Sequence, residues 1–462
     1  MRRPFAGFSY RAVIIYALMA AATVAGFLLI RRYGNTLTAP EAAGPSSLPR
    51  ATDQQPDALL HLLIALAAVI IVGQVLARLF AYIGQPPVIG EVVAGILLGP
   101  SLIGSEASAL ILPPTVAPLL GAIAQLGIVL YMFIVGLELN AGHLKDRLHT
   151  TVATSHTSIL VPFLLGALLS LPLYTRLSTD DVPFTSFALF MGVAISITAF
   201  PVLARILTDL RIARTELGAV ALGCAAIDDV TAWCMLAFVS GVAKAQVGQS
   251  LWVVVGTLFY ITVMFFVIRP VFTRAGSRWQ SESPSRSTTA MLLVALLVSS
   301  LVTEFIGIHA AFGAFLLGAV IPYDSGVARA LIKQLETVVT VLFLPAFFAL
   351  TGMRTRIDLV TGMDEWLICG LIILVAIVGK FGGSLVAARA TGMGWREAAA
   401  LGTLMNTRGL MELIVLNIGL DLRVITPTLF AMMVLMAMVT TLMTSPILHL
   451  LIRRRPMEQN AD

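Results

Sequence analysis

The chain has 462 residues, of which 58% are hydrophobic and 12% charged, with a formal net charge of +5. Soluble proteins carry about 25% charged residues, so this composition excludes an ordinary soluble domain. Repeated apolar runs of about 20 residues point to an all-α polytopic membrane protein, and wholly apolar segments disfavour a β-barrel, whose signal is alternation over about ten residues. The basic residues sit in loops between spans, as membrane topology demands, and imply no nucleic acid.

The first apolar run, at 11–30, follows MRRPFAGFSYR and reads as an uncleaved anchor with its N-terminus inside. The alternative is a signal peptide that is removed. A polar stretch completes residues 1–57, and the membrane domain is expected over 58–455, with a short tail at 456–462. Thirteen apolar elements follow the linker, at 58–82, 88–104, 117–138, 151–173, 184–208, 215–242, 251–274, 289–306, 308–322, 337–353, 366–390, 396–420 and 424–452. Loops after odd-numbered elements hold most of the Arg and Lys, ending in Arg453, Arg454 and Arg455. That bias puts the C-terminus in the cytoplasm. Cys224, Cys234 and Cys369 all lie in apolar spans and read as small hydrophobes, and no metal-ligand spacing occurs.

Thirteen elements suit two inverted six-helix repeats, 58–242 and 289–452, joined by a linking helix at 251–274. Faint internal similarity agrees. AGILLGP (from Ala94) resembles GAFLLGA (from Gly313), and FIVGLELN (from Phe133) resembles FALTGMRT (from Phe348). In such architectures the substrate site lies mid-membrane, beside discontinuous helices. Pro201 interrupts the fifth element, where Ser196 and Thr198 can satisfy freed backbone groups. Asn406, Thr407, Arg408 and Gly409 interrupt the twelfth. Both breaks fall at the fifth position of a half, which predicts two crossing broken helices.

The sixth element carries CAAIDDVTAW, two adjacent aspartates in an apolar run. A charge at the centre of a membrane helix costs roughly 2.5–3.5 kcal/mol on insertion scales, so Asp228 and Asp229 are functional candidates. A carboxylate that holds either a proton or a small cation, in a fold that alternates its access, exchanges one for the other. Lys380, inside ILVAIVGKFGGSLVAA, needs an anionic partner, for which Asp228 or Asp229 is the candidate, or a neutral form; the alternative is that it snorkels to an interface. Arg408 and Glu412 are spaced to pair along one helix face. Glu138, Glu304 and His309 lie near span ends and read as interfacial.

The series PPVIGEVVAGILLGPSLIG, LYMFIVGLELN, SITAFPVLARIL, AAIDDVTAW, LPAFFALTGMRT and NTRGLMELIVLNIGL, in this order, resembles the second family of monovalent cation–proton antiporters. That family includes bacterial sodium–proton and potassium–proton antiporters and the plant cation/proton exchangers. The resemblance covers nearly all of the chain after Pro56. It implies thirteen spans, a homodimer, and a core domain moving against a dimer domain. It implies Asp229 as the main cation- and proton-binding carboxylate and Asp228 as its variable neighbour, an Asp there going with electrogenic exchange. Lys380 matches the family's core lysine, and Thr198 lies in the unwound part of the first broken helix. Sodium or potassium is the expected cargo, with no cofactor, in a bacterial inner membrane. No GxGxxG follows the last span, so no nucleotide-binding regulatory domain is expected on this chain, and the first apolar run stands outside the family core. Rival readings are a cation channel or pH sensor, a sodium-coupled organic-solute carrier, and an intramembrane aspartyl protease. The last needs aspartates facing each other from two helices, and these two are adjacent on one.

Overall fold

A computed structural model of the chain describes residues 10–38, 40, 58–111, 113, 116–138, 148–210, 212, 215–244, 250–276, 285–307, 309–322 and 325–452. Among them there is no strand. The helices are α1 (Tyr10–Gly34), α2 (Ala58–Tyr82), α3 (Pro87–Leu98), α4 (Pro100–Ile103), α5 (Ser105–Ile111), α6 (Ala117–Glu138), α7 (Leu148–Leu177), α8 (Phe184–Ser196), α9 (Phe200–Asp209), α10 (Glu216–Lys244) and α11 (Ser250–Val263). They continue as α12 (Arg269–Gly276), α13 (Arg286–Ile306), α14 (Ala310–Val320), α15 (Gly326–Val338), α16 (Leu344–Arg354), α17 (Gly362–Ile377), α18 (Gly383–Ala390), α19 (Trp395–Met405), α20 (Leu410–Asp421) and α21 (Pro427–Ile452). Nine helical stretches among the described residues are long and apolar enough to cross a membrane. The others that match predicted spans are short or broken, as α3, α8 and α14 are.

Three π-helical stretches join consecutive helices: Met264–Ile268, Val339–Phe343 and Val378–Gly382. Two have an evident cause. Pro270 and Pro345 lack an N–H, and their rings press on the carbonyl four residues back, at Phe266 and Val341, inside the widened turns. The third contains no proline and carries Lys380, and π-turns of this kind are frequent at functional sites.

The predicted spans match these helices with three corrections. The tenth element begins at Gly326 rather than near 337, because α15 opens as an amphipathic stretch whose apolar Val327, Ala328 and Leu331 are buried beneath interspersed charges. The second element ends at Leu98, where Gly99 takes an extended conformation before the short α4. The break in the fifth falls at Ile197–Ala199, ahead of Pro201. Pro201 occupies the first turn of α9, where a missing N–H costs nothing and the fixed φ suits a helix start.

The chain forms two compact units. One comprises residues 1–42, 142–232 and 360–462, and the other 43–141 and 233–359. Each expected repeat therefore gives its first three elements to the second unit and its last three to the first, except that the sixth element divides, its residues from Trp233 on falling in the second. In the second unit two pairs of helices cross through glycines. α3 crosses α16 with Gly95 and Gly99 against Gly352, and α14 crosses α6 with Gly318 against Gly136. Close approach through small residues is how helices associate where lipid removes the hydrophobic driving force. A side chain on Gly352 would overlap the Gly95 backbone, and one on Gly318 the Phe133 carbonyl. Gly352→Ala is expected to lower thermal stability in detergent, by about 1–3 kcal/mol or more as overpacking does. Gly370→Ala, which meets open space, should leave the melting curve unchanged.

The first apolar run packs against the spans that follow it. α1 packs on α7 and α8 within the first unit, with the Phe27 and Phe163 rings 5.8 Å apart. Glu304 and His309 have a local task in the second unit. Glu304 Oε2 accepts from the Ala310 N–H and His309 Nδ1 from the Ala311 N–H, satisfying the first orphan donors of α14.

Candidate ion-binding site

All predicted site residues lie in the first unit. Asp228 and Asp229 sit mid-way along α10, both buried. Successive helix residues diverge by about 100°, so the two carboxylates meet different surroundings. Asp228 is fully engaged. Lys380 Nζ donates to its Oδ2 at 2.8 Å, and both side chains are completely buried. Ser155 Oγ donates to Oδ1 at 2.6 Å. Ser158 Oγ lies 3.0 Å from Oδ2 and Thr198 Oγ1 2.9 Å from the same atom. Each of those two hydroxyls has one proton and a second acceptor in reach: the Ser155 carbonyl for Ser158 and the Met405 carbonyl for Thr198. Asp229 is the opposite case. Neither of its oxygens has a hydrogen-bond partner among the described residues. The backbone N–H of Phe200, in the first turn of α9, bears on it electrostatically without meeting hydrogen-bond geometry.

The two broken helices cross here. The Ala199 N–H donates to the Thr407 carbonyl at 2.9 Å, and Thr198 reaches Met405. A helix interrupted in apolar surroundings exposes carbonyls at one end and N–H groups at the other, equivalent to about half a charge each. Charged side chains meet these ends. The Arg408 guanidinium donates to the Ala194 carbonyl at 2.9 Å and the Ile195 carbonyl at 2.5 Å, closing the C-terminal end of α8. Glu412, in the first turn of α20, accepts from Arg408 at 2.8 Å. Asp229 faces the first turn of α9. Thr441 on α21 locks the second break, accepting from the Arg408 N–H and donating to its carbonyl. Asn406 Oδ1 and Thr407 Oγ1 are buried in the same break with no partner among the described residues.

A cluster of hard oxygen atoms at crossing helix breaks suits a small cation or a proton. The sequence as a whole decides the lineage, because the profile of the sodium/hydrogen exchanger transmembrane family matches residues 63–453. The chain belongs to that family. Among curated relatives of this exchanger, the Na(+)/H(+) antiporter NhaS4 of Synechocystis sp. is 42% identical over 84% of the chain and 96% of that protein. Cation/H(+) antiporter 17 of Arabidopsis thaliana is 37% identical over 90% of the chain, and K(+)/H(+) antiporter 1 of Saccharomyces cerevisiae 33% over 80%. The exchanger spans about half the length of these plant and yeast relatives, 51% and 44%. The sodium proton antiporter MjNhaP1 of Methanocaldococcus jannaschii shares the fold, with a TM-score of 0.58 at 15% identity over 85% of this chain and 96% of that one. The exchanger is thus an integral, multi-pass membrane protein, and its named relatives are transporters rather than enzymes.

The structure brings Asp228, Lys380 and Thr198 into direct contact and places Arg408 and Glu412 at the neighbouring helix ends. It resolves which aspartate Lys380 meets. Pro201 is a neighbour of the break rather than the break itself. Ser155, Ser158 and Thr441 were not singled out from the sequence. The signal was present in TTVATSHTSIL, where Ser155 and Ser158 fall on one helix face, and it needed only the question of what donors Asp228 would require. Arg408 also answers to more than Glu412, since it carries two backbone carbonyls. Arg408→Leu is therefore expected to destabilise the fold by about 3–5 kcal/mol, as losing one partner of a buried pair does. Arg408→Lys, which keeps the charge but not the fork, should recover only part of that on thermal unfolding.

Proposed function

We propose that this chain is a secondary active transporter that swaps protons for a monovalent cation, sodium or potassium, by alternating access, with Asp229 as the exchanging carboxylate. One observation carries the reading. Asp229 is buried with both oxygens unpartnered, while its neighbour Asp228 is occupied by Lys380, Ser155 and two further hydroxyls. An isolated buried carboxylate is costly unless it is neutralised, and a proton or a monovalent cation each supplies that. Occupation by one excludes the other, which is the basis of exchange. Electrogenic exchange, with more protons than cations, needs a second group that changes protonation. The Asp228–Lys380 pair is that group: a cation drawing on Asp228 leaves the buried Lys380 amine to release its proton. The working form is a homodimer in a bacterial inner membrane, with the C-terminus cytoplasmic.

The test is purified protein in liposomes with an imposed pH gradient and an internal pH dye, with sodium, potassium or lithium added outside. Cation-dependent collapse of the gradient establishes antiport and names the ion, and a potential clamp shows whether charge moves. Cation flux with no proton counterflow points to a channel, and no response to any ion sinks the proposal.

A further inference from the structure

We propose that α1 is a positioning helix of the transport unit: it braces α7 from behind, so that Ser155 and Ser158 stay on Asp228. The family profile begins at residue 63, so nothing in family membership assigns α1 a task. Its contacts do. Met19 Sδ lies 3.7 Å from Thr157 Oγ1. A side chain at Gly26 would meet Leu164 at 3.3 Å, and the Phe27 ring is tilted at 41° against Phe163. Gly34 lies so close to the Phe184 ring, at the start of α8, that any β-carbon there would overlap it. Beyond α1, the Asp180 N–H donates to the Pro40 carbonyl at 3.0 Å.

Pairings of 19 with 157, 26 with 164 and 27 with 163 keep nearly the same spacing along both chains. The two helices therefore run parallel and in register. The loop-charge bias starts α7 on the cytoplasmic side, so α1 starts there too, in agreement with MRRPFAGFSYR as an inside segment. On α1, Met19, Thr23, Gly26, Phe27, Ile30 and Gly34 are the covered positions, and Leu18, Val24, Leu28, Leu29 and Tyr33 are exposed. One helical stripe thus meets the unit and the other meets lipid.

Around α7, Thr157 and Leu164 lie about 180–200° from Ser155 at 100° per residue, and Phe163 lies on the flank at about 80°. Ser158 and Pro162 lie on the Ser155 side, where Pro162 packs on Gly379, next to Lys380. One face of α7 thus holds the Asp228–Lys380 pair in place, and the opposite face and one flank rest on α1. α7 contains Pro162 and Pro172, each of which removes a backbone hydrogen bond and softens the helix. A helix softened in this way depends on its neighbours for a fixed line, and α1 is the neighbour behind it. Because Asp228 and Asp229 are adjacent, displacement of the donors on one alters the cation affinity of the other.

The effect is read through cation affinity, so it rests on the exchange reading above, and the experiment separates the two. Antiport is measured in liposomes for the wild type, a variant lacking residues 1–57, Gly34→Leu and Ser155→Ala, and the intact mass of the purified full chain is recorded. The full chain should retain α1. The deletion and Gly34→Leu should each raise the cation concentration for half-maximal exchange by about three- to tenfold, with maximal rate within about twofold. Ser155→Ala should give a similar shift, and combining it with the deletion should add little, as groups acting through one contact do. Absence of antiport in the wild type counts against the exchange reading. With wild-type antiport intact, a mature protein lacking α1, or unchanged half-maximal concentrations in both α1 variants, overturns the bracing role. If the deletion does not fold, Gly34→Leu alone decides.

Discussion

Asp229→Asn is expected to abolish cation-dependent proton movement, by at least about a hundredfold, while the protein folds and melts as the wild type does or at a slightly higher temperature. Such separation of activity from stability is unusual for a buried charged residue, since removing a buried group normally strands a partner. Here no charged or side-chain partner is stranded: neither Asp229 oxygen meets hydrogen-bond geometry among the described residues, and the Phe200 N–H that bears on it can turn to the amide oxygen of Asn. An amide of the same shape removes a costly charge and with it the one feature that distinguishes proton from cation. Thermal unfolding supplies the second half of the test. A ligand that binds only the folded state stabilises it by about 2.7 kcal/mol at a hundred times its dissociation constant. The transported cation should therefore raise the wild-type melting temperature, and Asp229→Asn should show no such rise. Exchange at the wild-type rate, or an undiminished cation-induced shift, would remove Asp229 from the site.

The contrast with Asp228 also shows what the sequence could and could not convey. Two aspartates in an apolar run, a lysine in another, and interruptions at matching positions were all legible, because each violates a strong rule of membrane helices. Those violations pointed to the candidate site and to the two broken helices. Legibility ended where the answer depended on rotation and on neighbours from elsewhere in the chain. Adjacent residues on α10 differ by a turn of about 100°, and nothing local says which one Lys380, 152 positions away in sequence, will meet. The serines of α7 were silent because hydroxyls are common in membrane helices and break no rule. Pro201 misplaced the break by a few residues because proline ends one helix and starts another equally well, and only the extended conformation at Ile197 tells which. Likewise α15 was hidden because its charges lowered the local hydropathy below that of a span, although its buried stripe is apolar.

Lys380→Met should be strongly destabilising, and the neutral partner should repair it. The ammonium is completely buried and its Asp228 partner equally so. Truncating one member leaves an uncompensated charge, which costs about 3–5 kcal/mol, whereas replacing both by neutral groups of similar size is often neutral or favourable. Lys380→Met with Asp228→Asn is therefore expected to melt near the wild type, and Lys380→Met alone well below it. The fully buried charged side chains among the described residues sharpen the expectation: Asp228, Asp229 and Glu412 face Lys380 and Arg408. With all three carboxylates ionised they exceed the two cations by one negative charge, and the hydrogen bonds leave Asp229 as the carboxylate without a paired cation. Lys380→Met raises that excess to two. Its stability should then depend more steeply on sodium or potassium than the wild type's, because added cation is the remaining means of compensation. Arg408, already engaged with Glu412 and two carbonyls of α8, is not free to take over. A Lys380→Met protein as stable as the wild type and indifferent to cation would mean that Asp228 is neutral in the folded state, and the pair would then be a hydrogen bond rather than an ion pair.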